Sequence, residues 1–159
     1  MSHKRKKDYV AVFEEILKLV TDEDKGYPRV EEIMSDFEKA VWVAVRQVMP
    51  LVNMKGCGFH LCQALYKNLK EIGMSSQYRQ CEKTRELCRQ LLSLNLLPSE
   101  RIEKRFRAIV AEVEKLEEKK LLQRFCAYVE RNWILSTVWP PSTWSMFMQH
   151  RRTNNNAEG

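Results

Sequence analysis

The chain has 159 residues, 44% of them hydrophobic and 30% charged, which suits an ordinary globular domain and excludes a disordered or low-complexity protein. Lys and Arg outnumber Asp and Glu by 27 to 21, a formal +6 that fits a polyanionic partner without requiring one. Five Cys without a signal-type apolar segment exclude a secreted disulfide scaffold, and no apolar run nears the roughly 20 residues of a membrane span, so a nuclear or cytosolic protein with reduced thiols is expected.

Taken in chain order, Tyr9, Val12, Phe13, Ile16, Leu17 and Val20 recur at helical spacing and predict an amphipathic helix over residues 6–20. A polar stretch ends it, and Pro28 opens a segment that reads as a strand over 30–34. Residues 37–49 read as a helix with Asp36 placed to cap it. A second strand is expected over 51–54, closed by Lys55 and Gly56. From Phe59 onward the pattern is helical. A helix over 60–72 ends at Gly73, a residue suited to a left-handed helix terminus. Another is expected over 78–94, then a charged helix from Pro98 and Ser99 to about 117. One over 121–133 follows or continues it. Trp139-Pro140-Pro141 is a break, 143–148 a short turn, and 151–159 a polar end.

A strand–helix–strand unit at this spacing implies a parallel pair. Two parallel strands make a poor complete domain, because such sheets are normally buried within larger ones. Further strands are therefore expected on the N-terminal side.

Several residues could carry chemistry. Asp36 directly follows a strand, where a carboxylate faces the crevice in which α/β sheets bind ligands, and such carboxylates can hold paired Mg²⁺ ions. A helix-capping aspartate is the alternative. Glu38 suits the positive end of a helix. Gly56-Cys57-Gly58-Phe59-His60-Leu61-Cys62 gathers two thiols and an imidazole, but zinc needs a fourth ligand and is not expected. A buried cysteine with a histidine lining a crevice is the simpler reading. Cys81, Cys88 and Cys126 fall on apolar helix faces and read as core, as do Tyr128, Trp133, Trp139 and Trp144. Lys4, Arg5, Lys6 and Lys7, with Arg101, Lys104, Arg105 and Arg107, could meet a DNA backbone or simply be solvated. Arg151, Arg152, Asn154 and Asn155 could bind phosphates while Glu158 completes a metal site, or form a frayed tail.

In order, these signals resemble the MULE (Mutator-like element) transposase domain of the RNase H-like DDE transposase superfamily. The resemblance is carried by Ser35-Asp36-Phe37-Glu38-Lys39-Ala40, Gly56 to Leu65 with its C-x-x-H, Leu97-Pro98, Tyr128 to Trp133, Trp144 and Arg152-Thr153-Asn154-Asn155-Asn156-Ala157-Glu158-Gly159, essentially the whole chain. It implies a fold that is α/β by descent but mostly α here: a partial RNase H-like core of about two parallel strands with flanking helices (1–74), a helical insertion (75–144), and the start of a C-terminal segment (145–159). It implies that Asp36 and Glu158 are the second and third acids of a D-D-E triad binding Mg²⁺ or Mn²⁺. Cys57 and His60 match a family motif of unassigned role, and Arg151, Arg152, Asn154 and Asn155 are candidate DNA contacts. The implied partner is DNA at transposon ends, with a full-length transposase or self-association as further possibilities and no membrane.

The resemblance also implies a first catalytic aspartate on a strand before the helix at 6–20. Asp8 and Asp22 lie on that helix and in a loop, so neither can substitute, and the chain alone is expected to be inactive. The alternative is a non-catalytic domesticated remnant that binds DNA or a transposase partner.

Overall fold

The computed structural model describes residues 5–21 and 30–149. They form two units, Met1–Gly56 and Cys57–Gly159, each with its own packing.

In the first unit, α1 (Lys6–Val20) has the predicted bounds. Its half-buried residues, Tyr9, Val10, Phe13 and Leu17, follow helical spacing, and α1 packs on α2 (Lys39–Val48). No residue of α1 is fully buried, and Val12, Ile16, Leu19 and Val20 stay exposed. On α2, Trp42, Ala44 and Val45 are completely buried and form the unit's core with Met54.

The two strands pair in parallel, as expected, but each starts two residues later than the sequence pattern placed it. β1 is Glu32–Ser35 and β2 is Asn53–Gly56, in the register Glu32↔Asn53 to Ser35↔Gly56. Val30 and Leu51 are apolar yet exposed, Leu51 at 98%. Gly56 is the last residue of β2 rather than a loop closing it. A Cβ there would lie 2.3 Å from Cζ of Phe37, so the Phe37 ring occupies the space that a side chain would need.

The second unit is helical: α3 (Gly58–Glu71), α4 (Ser75–Gln80), α5 (Glu82–Leu92), α6 (Ser99–Glu114), α7 (Lys120–Val129) and α8 (Pro141–Trp144). Buried stripes at three- and four-residue spacing meet in its core: Leu61, Leu65 and Leu69; Leu87, Cys88 and Leu91; Ile102, Phe106, Ile109 and Val113; Leu122, Phe125, Cys126 and Val129. Gly73 ends α3 region with φ +83, the left-handed value its position requires.

The helix expected over 78–94 is two helices, broken at Cys81. With the break, fully buried Met74 packs 3.3 Å from the Cys88 sulfur, whereas one straight helix from residue 74 would place the two about 21 Å apart. Cys81 therefore stands exposed at the junction rather than in the core. After α7 a π-helical turn (Glu130–Ile134) buries both Trp133 and Ile134, and Trp133 stacks on Trp139 at 6.0 Å. The Ser145 hydroxyl donates to Leu97 O (2.6 Å) and the Met146 N–H to Asn95 O (2.6 Å), fastening the last described segment to the α5–α6 connection.

The junction makes a testable difference among the thiols. The Thr84 hydroxyl and the first N–H groups of α5 lower the pKa of Cys81, while burial pushes Cys88 and Cys126 up to about 12. Thiolate is the reactive form. A short iodoacetamide pulse near neutral pH should therefore alkylate Cys81 first and spare Cys88 and Cys126 until the protein is unfolded. Equal early labelling of Cys88, read by peptide mass spectrometry, would contradict the packing described.

Candidate functional site

The turn after β1 is built by three side chains that leave Asp36 in place. The Trp42 indole N–H donates to the Asp36 carbonyl at 2.6 Å. The Phe37 ring stacks on Trp42 with centroids 6.2 Å apart and covers Gly56. Glu38 accepts a hydrogen bond from the Tyr9 hydroxyl of α1 at 2.9 Å. The backbone on either side of Asp36 is thus tied to α2, β2 and α1. Its carboxylate is half-buried, and the Ser35 hydroxyl approaches it at 3.4 Å.

This geometry corrects the capping reading. α2 begins at Lys39, with Glu38 as the residue flanking its N-terminus, so Asp36 lies outside the helix and does not cap it. Glu38 serves as much to anchor α1 as to meet the helix end.

Cys57 and His60 belong to the second unit. Cys57 flanks the start of α3 and is completely buried. His60, one turn on, lines a shallow surface groove, with its ring in edge contact with Phe59. Cys57 precedes the helix on extended backbone and its side chain enters the core, whereas His60 lies on the first turn of α3 and is partly exposed in the groove. Cys62 is half-buried, directs its sulfur to Leu92 O at 3.8 Å, and has its pKa raised by burial.

Among the described residues no group of three His, Cys, Asp or Glu side chains could hold a metal ion. The divalent site implied by the resemblance is not assembled by these residues, of which Asp36 offers one carboxylate. Glu158, Arg151, Arg152, Asn154 and Asn155 lie outside the described residues, as does Asp22. Among the basic residues of α6, Arg107 is engaged by Glu103 and Glu130. Trp133 and Trp144 are core residues, as their spacing suggested. No described helix is long and apolar enough to cross a membrane.

The groove beside His60 is the feature that sequence reading missed. Its residues recur at helical spacing opposite the leucine stripe of α3, a signal present in the sequence but read only for its apolar side.

No curated protein and no solved structure matches the chain. A family model does match, and it ends at residue 64, inside α3, so the resemblance read further along at Leu97-Pro98, Tyr128 to Trp133, Trp144 and 152–159 lies beyond it. Over residues 1–64 the chain matches the MULE transposase domain, and it is this segment, containing Asp36, Cys57 and His60, that relates it to that family.

Proposed function

We propose that the chain is transposase-derived: DNA cleavage and strand transfer with Mg²⁺ or Mn²⁺ belong to the complete RNase H-like domain, and these 159 residues contribute Asp36 as one of its metal-binding acids. The observation that carries this reading is the fastened turn at the end of β1, which holds the carboxylate-bearing residue at the C-terminal end of a parallel strand while its neighbours are tied down. Glu158 as a further acid, and Arg151, Arg152, Asn154 and Asn155 as DNA contacts, are part of the same proposal. So is the division by descent into a core (1–74), a helical insertion (75–144) and a C-terminal segment (145–159). Nuclear or cytosolic action on transposon ends follows from it.

The packing of the first unit supports the idea that its sheet belongs in a larger one. Two parallel strands and an α1 without a fully buried residue are less covered than parallel sheets normally are. Two-metal chemistry uses several carboxylates held together, and Asp36 and Glu158 are two of the triad's three acids. The chain by itself is therefore a DNA-binding rather than a DNA-cutting species.

Incubated with supercoiled plasmid and Mg²⁺ or Mn²⁺, it should retard the DNA in a salt-sensitive way and produce no nicked circles. Mg²⁺-dependent nicking that disappears in Asp36→Ala would overturn the non-cutting half of the proposal and make Asp36 a working ligand in this chain. The exposed stripe of Val12, Ile16, Leu19 and Val20 favours the second reading, a remnant that pairs with a transposase partner. Co-purification with a full-length transposase domain, lost on changing Ile16 and Leu19 to Lys, would distinguish it.

A further inference from the structure

The outward half of the C-x-x-H motif has a surface of its own. His60, Gln63, Ala64, Tyr66, Lys67 and Lys70 line one groove along α3, a span of ten residues or about 15 Å. The Lys70 ammonium lies 5.0 Å from the centre of the Tyr66 ring, a cation held beside an aromatic face, and the ring is 40% exposed. Tyr78 meets Tyr66 edge to face at 6.2 Å and fixes its position. Lys67 is paired with Glu71 at 3.8 Å, but both side chains are largely exposed, and such a pair is worth little against a phosphate. His60 Nδ1 is buried with no hydrogen-bond partner among the described residues, which leaves Nε2 as the nitrogen able to answer a ligand.

We propose that this face of α3 binds a single strand of DNA, with Lys67 and Lys70 on consecutive phosphates, His60 Nε2 hydrogen-bonded to a phosphate oxygen, and Tyr66 against an unpaired base. The choice of DNA rests on the transposase-derived reading; the fit to a polyanion comes from the groove and from the chain's excess of cations. A single strand is favoured over a duplex because the exposed Tyr66 ring beside Lys70 can be used only by a base whose face is free. This gives His60 a role that does not involve Cys57, whose side chain is in the core.

The test is fluorescence anisotropy of a labelled 20-nucleotide strand titrated with the 159-residue chain between about 50 and 200 mM salt. Two lysines neutralising two phosphates contribute roughly 1.4 to the slope of log affinity against log salt on a single strand. Lys67→Ala with Lys70→Ala should flatten the slope by about that amount and weaken binding several-fold at the lowest salt. Tyr66→Ala should weaken binding about tenfold, while Tyr66→Phe stays within about twofold. Because these side chains are exposed, the helical circular dichroism should not change, and Lys67→Gln with Lys70→Gln offers a second charge-removing pair that keeps helix propensity.

Wild-type affinity and slope in the double-lysine variants would overturn the assignment of this face and leave DNA binding elsewhere intact. A duplex that competes as well as the strand would overturn the role of Tyr66. A wild-type chain that binds no DNA would overturn both this inference and the DNA-binding half of the proposed function.

Discussion

Trp42→Ala should unfold the first unit and leave the helices of the second protected. Trp42 is completely buried, stacks on Phe37, donates to the Asp36 carbonyl, and carries the Arg46 guanidinium 5.6 Å from its ring centre. Removing a buried Trp costs about 3–5 kcal/mol through lost burial and the cavity left behind. The unit has little to set against that loss, because its fully buried apolar residues are Trp42, Ala44, Val45 and Met54 among those described. Hydrogen exchange should show the amides of α1, α2 and the strands exchanging as an open chain, with α5 to α7 unchanged. Trp42→Phe should cost less: it keeps the six-membered ring's packing but loses the indole N–H, worth about 1 kcal/mol, together with the volume of the second ring. If Trp42→Ala left α2 amides protected, the core assigned to this unit would be wrong, and with it the account of how Asp36 is held.

The second large effect is expected at Phe106. It lies at the centre of the buried stripe of α6, is completely buried, and α6 packs against α5, α7 and α8. Phe106→Ala should destabilise the second unit by about 3–5 kcal/mol. With a slope of about 1–3 kcal/mol per molar urea, that is a midpoint shift on the order of 2 M. Three of the chain's four tryptophans, Trp133, Trp139 and Trp144, belong to this unit, so fluorescence reports chiefly on it. An unchanged midpoint with an unchanged slope would mean that the α6 stripe is not the centre of the core.

Together the two variants test whether the units have independent cores. Each should remove the protection of its own helices and spare the other's. Simultaneous loss of protection in both units from either substitution would show instead that they unfold as one.

The sequence by itself determined the helices, because their apolar residues recur at a spacing that only a 3.6-residue turn places on one face. α1 has the predicted bounds, and of the residues read as core Cys88, Cys126, Trp133 and Trp144 are buried, while Cys81 is exposed and Tyr128 and Trp139 are half-buried. It also determined the parallel pairing, since a strand–helix–strand segment of this length leaves few other connections. The resemblance to the MULE transposase domain was legible as well, in Asp36-Phe37-Glu38 and the C-x-x-H within residues 1–64.

What only the tertiary structure decided were the features set by partners distant in the chain. Strand register was one: apolar Val30 and Leu51 attracted the predicted strands, but in the pairing both strands start two residues later, and the Phe37 ring lies over Gly56 at the end of β2. The break at Cys81 was another: it accompanies the packing of Met74 on Cys88, and no Pro or Gly marks it. Asp36 lost its capping role because Trp42 and Tyr9 pin the turn around it, and α2 starts at Lys39 rather than at Phe37. The C-x-x-H looked like one motif because its residues are adjacent in sequence. Cys57 precedes the helix on extended backbone and is buried by the core, while His60 on the first turn of α3 is only partly covered, a difference fixed by long-range packing rather than by local order.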